Sequence, residues 1–145
     1  MPSGQPFRFE TRIRFIDTDA SGRIHYTAMF RYFESAEIEF MREIDLIYER
    51  GGYAFPRVHV ECDFFLAMVH DDLIQIEVSL TQLGKSSMRF EFHTLKSGAL
   101  AAKGAVVIVC MDKTTERATA IPAVLREKLA ERLVAAPHAP QGHQL

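Results

Sequence analysis

The chain has 145 residues, 48% apolar and 25% charged, the balance of one globular domain long enough to bury a core. That balance excludes collagen-like, disordered and disulfide-scaffold classes. With 17 Lys and Arg against 19 Asp and Glu the formal charge is −2, so no basic excess points to nucleic acid.

In chain order, the first signal is a strand. Phe7, Phe9, Thr11, Ile13 and Phe15 alternate with Arg8, Glu10, Arg12 and Arg14, which predicts one buried face that includes Phe15. A turn-rich stretch, Asp17-Thr18-Asp19-Ala20-Ser21-Gly22, follows. The period then changes: Met29, Phe33, Ala36, Phe40, Ile44 and Ile47 recur at steps of three and four, predicting a helix over about 27–47. Phe30, Ile38 and Met41 widen its apolar surface, so the helix is expected to be enclosed. Gly51-Gly52 and Pro56 close this region.

Beyond residue 57 the period of two returns. Val58, Val60, Cys62 and Phe64 form one apolar face, Ile74, Ile76, Val78 and Leu80 another, and Met88, Phe90 and Phe92 a third. Residues 101–111 are nearly all apolar or small, as in a central strand covered on both faces. Pro122 suits the first turn of a short helix over 122–134. The predicted architecture is α+β: an antiparallel sheet of about five strands wrapped around one long helix, with a short C-terminal helix. One domain is expected over 1–135 and a loose tail over 136–145.

Cys62 and Cys110 lie in apolar runs without CxxC spacing and read as reduced core thiols. The longest apolar run, Val106–Met111, is too short for a membrane span. With no charged-then-apolar opening, the expected compartment is the cytoplasm. The six histidines share no metal-ligand spacing, so no metal site is expected. His59 and His93 read as hydrogen-bonded strand residues.

The stretch Arg14–Tyr26 places two carboxylates and a glycine between a strand and a helix start. A helix start presents unpaired N–H groups and a positive dipole end that polarise a carbonyl. A carboxylate fixed nearby can attack that carbonyl or activate water against it. The blander alternative is that Asp17 and Asp19 only organise the turn.

The run Asp17-Thr-Asp-Ala-Ser-Gly22, followed by Ile24-His25-Tyr26, resembles the acyl-CoA thioesterases of the 4-hydroxybenzoyl-CoA thioesterase type, which have the hotdog fold. Phe33-Glu-Ser-Ala36, Asp71-Asp72-Leu73, Gly84-Lys-Ser-Ser87 and Ile121-Pro122 extend the similarity over roughly residues 8–134. The resemblance implies that Asp19 is catalytic, as general base or nucleophile, and that the Tyr26 backbone N–H polarises the thioester carbonyl. It also implies sites shared between chains of a homodimer or homotetramer. His25 and Phe15 stand where substrate contacts are expected, and Lys85, Ser86 and Ser87 where a CoA phosphate could be gripped. CoA enters as part of the substrate, and no separate cofactor is implied. Phe15 stands where relatives often carry Tyr, Ala28 where Asn is common, and Glu37 where Arg is frequent. Two alternatives remain open at this point: a non-catalytic acyl-CoA-binding module, and a thioesterase acting on carrier-protein-bound chains.

Overall fold

The computed structural model describes residues 6–46, 48 and 51–134. β1 (Phe7–Arg12) runs antiparallel to β4 (Leu73–Leu83), with Phe7 opposite Val78 and Arg12 opposite Leu73. β4 begins at Leu73, and past it Ile13 makes the last exchange, its N–H donating to Asp72 O and its O accepting the Asp71 N–H. The chain then tightens into a 3₁₀ turn, Phe15–Asp17, in which Asp17 N–H and Thr18 N–H donate to the carbonyls of Arg14 and Phe15. That turn rotates Phe15 out of the strand face. Its expected burial is not met: Phe15 is 74% exposed, whereas Ile13 is buried.

α1 spans Ala28–Glu43. Met29, Phe33, Ala36, Phe40 and Met41 are buried along it, and Phe30 and Ile38 are half-buried. The helix stops earlier than its apolar pattern suggests because Asp45 adopts φ 60°. Asp45 N–H donates to Arg42 O and Leu46 N–H to Met41 O, a Schellman closure that satisfies those two carbonyls at the helix end. Ile47 lies outside the described residues, as does the segment expected to form the tail.

After β2 (Tyr53–Ala54) come β3 (Arg57–Phe64), β4, β5 (Ser87–Lys96) and β6 (Ala99–Val109), then β7 (Met111–Asp112), β8 (Arg117–Ala118) and α2 (Ala123–Ala130). The main sheet has the order β1-β4-β5-β6-β3, all pairs antiparallel, and β2-β7-β8 form a second small sheet. This is the predicted α+β arrangement of five strands and one long helix.

The inner face of β4, β5 and β6 carries the core under α1. Phe33 stacks on Phe92 with centroids 4.6 Å apart, and Phe40 meets Phe90 edge-on. Phe33 lies so close to β6 that position 104 has no room for a side chain. A Cβ built there would stand 2.7 Å from Glu61 O and collide with the Phe33 ring.

β3 departs from expectation. It crosses past β4 to the far edge of the sheet, pairing Val60 with Val106 and Cys62 with Gly104. α1 reaches that edge through Glu34 and Glu37 at Arg57 but does not close over it, so much of the Val58–Phe64 face stays open: Val58 is 61% exposed and Val60 47%. Periodicity identified the face correctly but not what covers it. Cys62 is accordingly half-buried and Cys110 buried, both as free thiols. Burial pushes the Cys62 thiol up to about 12.

Candidate active site

The loop between β1 and α1 is a tight antiparallel excursion. Thr18 bridges Ile24, and Asp19 N–H donates to Arg23 O at 2.7 Å. Gly22 closes the tip with φ 82°, in the left-handed region that favours glycine. The outer limb is held by residues 68–69: Ile24 N–H donates to Met68 O, and Arg23 bridges Val69.

The two aspartates on this loop have opposite surroundings. Asp19 is exposed; its Oδ1 accepts the Ser21 N–H at 2.8 Å and the Ser21 hydroxyl at 2.6 Å. Among the described residues nothing occupies its Oδ2. The Ser21 hydroxyl, then the Ser21 N–H, hold the Asp19 carboxyl below the ordinary 3.8, with nearby His25 acting in the same direction. Asp17, by contrast, is 6% exposed. Its Oδ2 accepts the Tyr32 hydroxyl at 2.6 Å and its Oδ1 the Arg31 guanidinium. Burial pushes its carboxyl up, but the Tyr32 and Arg31 contacts together hold it below 3.8.

At the entry to α1, His25 N–H donates to Asp17 O and Ala28 N–H to His25 O. Thr27 N–H and the Thr27 hydroxyl lie 3.2 and 2.7 Å from His25 Nδ1. Between them, the Tyr26 N–H has no acceptor among the described residues. The Tyr26 ring is 69% exposed and stacks on His25 at 4.8 Å. Phe15 meets His70 edge-on at 5.7 Å. The structure thus gathers Phe15, Asp19, His25 and Tyr26 on one loop system, with an open carboxylate oxygen and an open amide near the positive end of α1.

Lys85, Ser86 and Ser87 are not part of that gathering. They form the β4–β5 hairpin, one full strand of 11 residues from the loop, about 35 Å at the usual rise per residue. The hairpin carbonyls are occupied: Ser86 O accepts Cys110 N–H, Lys85 O accepts Ile121 N–H, and Arg126 reaches Gly84 O and Lys85 O. Within one protomer this hairpin and Asp19 cannot touch the same small group.

Sequence reasoning missed Arg31, Tyr32, Arg57 and Tyr48. An open groove of about 230 Å³ runs beside α1, lined by Phe30, Arg31, Glu34, Glu37, Arg57, Val60 and Val106. In its wall the buried Glu37 accepts Arg57 at 2.6 Å and the Tyr48 hydroxyl. Burial still raises the Glu37 carboxyl above its ordinary value, opposed by Arg57. The groove does not contain Asp19; Arg31, which pairs with Asp17, is the residue the two places share. These pairings join residues 11 to 20 apart, a separation that leaves no local pattern in the sequence. Among the described residues no three His, Cys, Asp or Glu side chains cluster as a metal site, and no helix is long and apolar enough to cross a membrane.

A family model described as the thioesterase-like superfamily matches residues 13–129. The chain belongs to that superfamily. By that membership it is a thioester hydrolase, and its sheet-around-helix architecture is the hotdog fold of its solved neighbours. An Aquifex aeolicus protein of known structure is 26% identical, with a TM-score of 0.81, covering 86% of this chain and 99% of that one. A Synechocystis 1,4-dihydroxy-2-naphthoyl-CoA thioesterase shares the fold at a TM-score of 0.81 and 19% identity, over 86% of this chain and 96% of its own. In sequence, the Haemophilus influenzae acyl-CoA thioesterase YbgC is 25% identical over 120 residues, 80% of this chain and 88% of that protein.

Proposed function

We propose that this thioesterase hydrolyses acyl-CoA thioesters, with Asp19 as general base and the Tyr26 N–H as oxyanion donor. The observation that carries the reading is the pairing on one loop of an ionised carboxylate with a free Oδ2 and an amide with no internal acceptor. Asp19 takes a proton from water as the water oxygen bonds to the thioester carbon. The developing oxyanion rests on the Tyr26 N–H and the α1 dipole. Collapse breaks the C–S bond, and the CoA thiolate takes the proton back from Asp19. This sequence needs no metal or redox group, since CoA arrives with the substrate. Names of relatives such as YbgC support a CoA thioester over a carrier-protein one.

The active form in this reading is a homo-oligomer, at least a dimer and in our favoured version a tetramer, with sites at the subunit interface. Strand β3, at the end of the sheet order with β6 on one side and with exposed Val58, Val60 and Phe64, supports pairing with a second copy. A shared site would let the Lys85–Ser87 hairpin of one protomer serve the loop of another. The free thiols of Cys62 and Cys110 suit the reducing cytoplasm, where we place the protein.

The test is release of free thiol from a panel of short, long and aromatic acyl-CoAs and one acyl-carrier protein, with light scattering on the same sample. Turnover of CoA thioesters by an oligomer is expected. Tight binding without thiol release would favour a binding module, and turnover restricted to the carrier protein would redirect the substrate class. A fully active 16.5 kDa monomer would remove the shared site.

A further inference from the structure

Asp17 stands two residues before Asp19, yet it has no access to a substrate. Both of its side-chain oxygens are engaged and it is buried among β1, the loop and α1. What it does instead is join three segments. Its main-chain O accepts the His25 N–H at 2.8 Å, which ties the start of the loop to its end. Its carboxylate holds Tyr32 and Arg31 on the first turns of α1. The Tyr32 oxygen in turn accepts the Arg14 N–H at 2.9 Å, so the exit from β1 is fastened to the same point.

This clasp decides which amide is left open. With His25 N–H directed at Asp17, Thr27 N–H at the His25 ring and Ala28 N–H at His25 O, the Tyr26 N–H is the amide of this run left without an acceptor among the described residues. Release His25 from Asp17 and the direction of the Tyr26 amide is no longer fixed. Asp19 hangs from the other limb of the same ladder through its N–H to Arg23 O.

We propose that Asp17 is a positioning residue of the hydrolysis, pinning both limbs of the loop to Tyr32 and Arg31 so that the Asp19 carboxylate and the Tyr26 amide face one carbonyl. The inference rests on the roles given to Asp19 and Tyr26 above. Asparagine at 17 is nearly isosteric but uncharged. Its amide has one acceptor where the carboxylate has two. An NH₂ turned to Arg31 meets a cation. One turned to Tyr32 finds an oxygen that already accepts the Arg14 N–H, and Tyr32 loses the acceptor for its own hydrogen, so one arm of the clasp is weakened without leaving a cavity.

The experiment measures kcat and KM on a turned-over acyl-CoA for Asp17→Asn, Tyr32→Phe, the double variant and Asp19→Asn, each corrected for folded fraction by circular dichroism. Misplacing a reacting group by about 1 Å costs up to about a hundredfold, so kcat of Asp17→Asn is expected to fall at least about tenfold. KM should stay within about twofold, because the clasp orients the reacting groups rather than binding substrate. Tyr32→Phe should show a smaller loss of the same kind, and the double variant should be no worse than Asp17→Asn, since both act through one clasp. If Asp17→Asn fails to fold, Tyr32→Phe, which keeps the ring and its packing, carries the test alone. Unchanged kcat per folded molecule, a loss confined to KM, or fully additive losses would overturn the inference. An inert Asp19→Asn beside a fully active Asp17→Asn defeats this inference alone. A fully active Asp19→Asn defeats the reading beneath it, and the inference with it.

Discussion

Phe33 and Phe15 are the same residue type with opposite fates. Phe33 lies flat on Phe92 in the centre of the sheet and is fully buried, whereas Phe15, where the chain leaves β1, is 74% exposed. Around Phe33, order comes from packing: Phe40, Phe90, Ile76 and Ile108 leave almost no accessible surface. Around Phe15, order comes from hydrogen bonds, those of Asp17, Asp19 and His25, while Ile16 and Tyr26 stay largely in the open. Changes in the first region should therefore be read in stability, and changes in the second in turnover.

The largest effect should fall on the loop. Asp19→Asn removes the proposed base, so kcat should drop by at least about a hundredfold, the scale of losing general-base catalysis. Its melting temperature should stay near wild type, because an exposed side chain is changed. A melting loss as large as a core variant's would erase the contrast between the two regions.

Gly104→Ala probes the opposite side. The added methyl must push against the Phe33 ring and the Glu61 carbonyl. Overpacking of this kind costs about 1–3 kcal/mol, to be read by thermal or denaturant unfolding, with KM unaltered in the folded fraction. An unchanged melting point would mean that α1 slides freely over the sheet.

The pH dependence separates the regions further. Both loop carboxyls are held below 3.8, so each stays ionised until the solution is more acidic than an ordinary aspartic acid requires. The stability contributed by Asp17 is present above its unfolded value and lost as pH falls through its lower folded one. Likewise the acid limb of kcat/KM should have its midpoint below 3.8. A midpoint above that value would mean that another group governs the rate.

The smallest effect is expected from Phe15→Tyr. Because the ring is exposed in the protomer, a hydroxyl there meets water and should change stability by no more than about 0.5 kcal/mol. Judged from alternation alone, the same substitution would have buried an unsatisfied hydroxyl at a cost of about 1–3 kcal/mol. Melting curves distinguish the two directly. A loss at the upper figure would show that a second chain covers Phe15.

The strands and the helix were legible because apolar residues at periods of two and 3.6 can meet a core in only one way. Three things were not. Alternation through Phe15 looked like continued strand, but strand length is set by the partner, and β4 begins at Leu73. The Val58–Phe64 face was correctly grouped, but whether α1 covers it depends on strand order, which placed β3 at the edge. The β2-β7-β8 sheet has strands of two residues, too short to carry a period. At the candidate site, Asp19, His25 and Tyr26 were visible because they are neighbours in sequence. The Arg31 and Tyr32 contacts that distinguish Asp17 from Asp19 join residues 14 and 15 apart, and neither shows before the chain is folded.

The close approach of Phe33 to Gly104 also constrains how this sequence can drift. A bulky ring at 33 is compatible only with a bare backbone at 104, and position 104 can acquire a methyl group only once 33 has become smaller. Either change alone passes through a less stable protein, a collision in one order and a void in the other. Among descendants of this chain the two positions should therefore change together, or not at all.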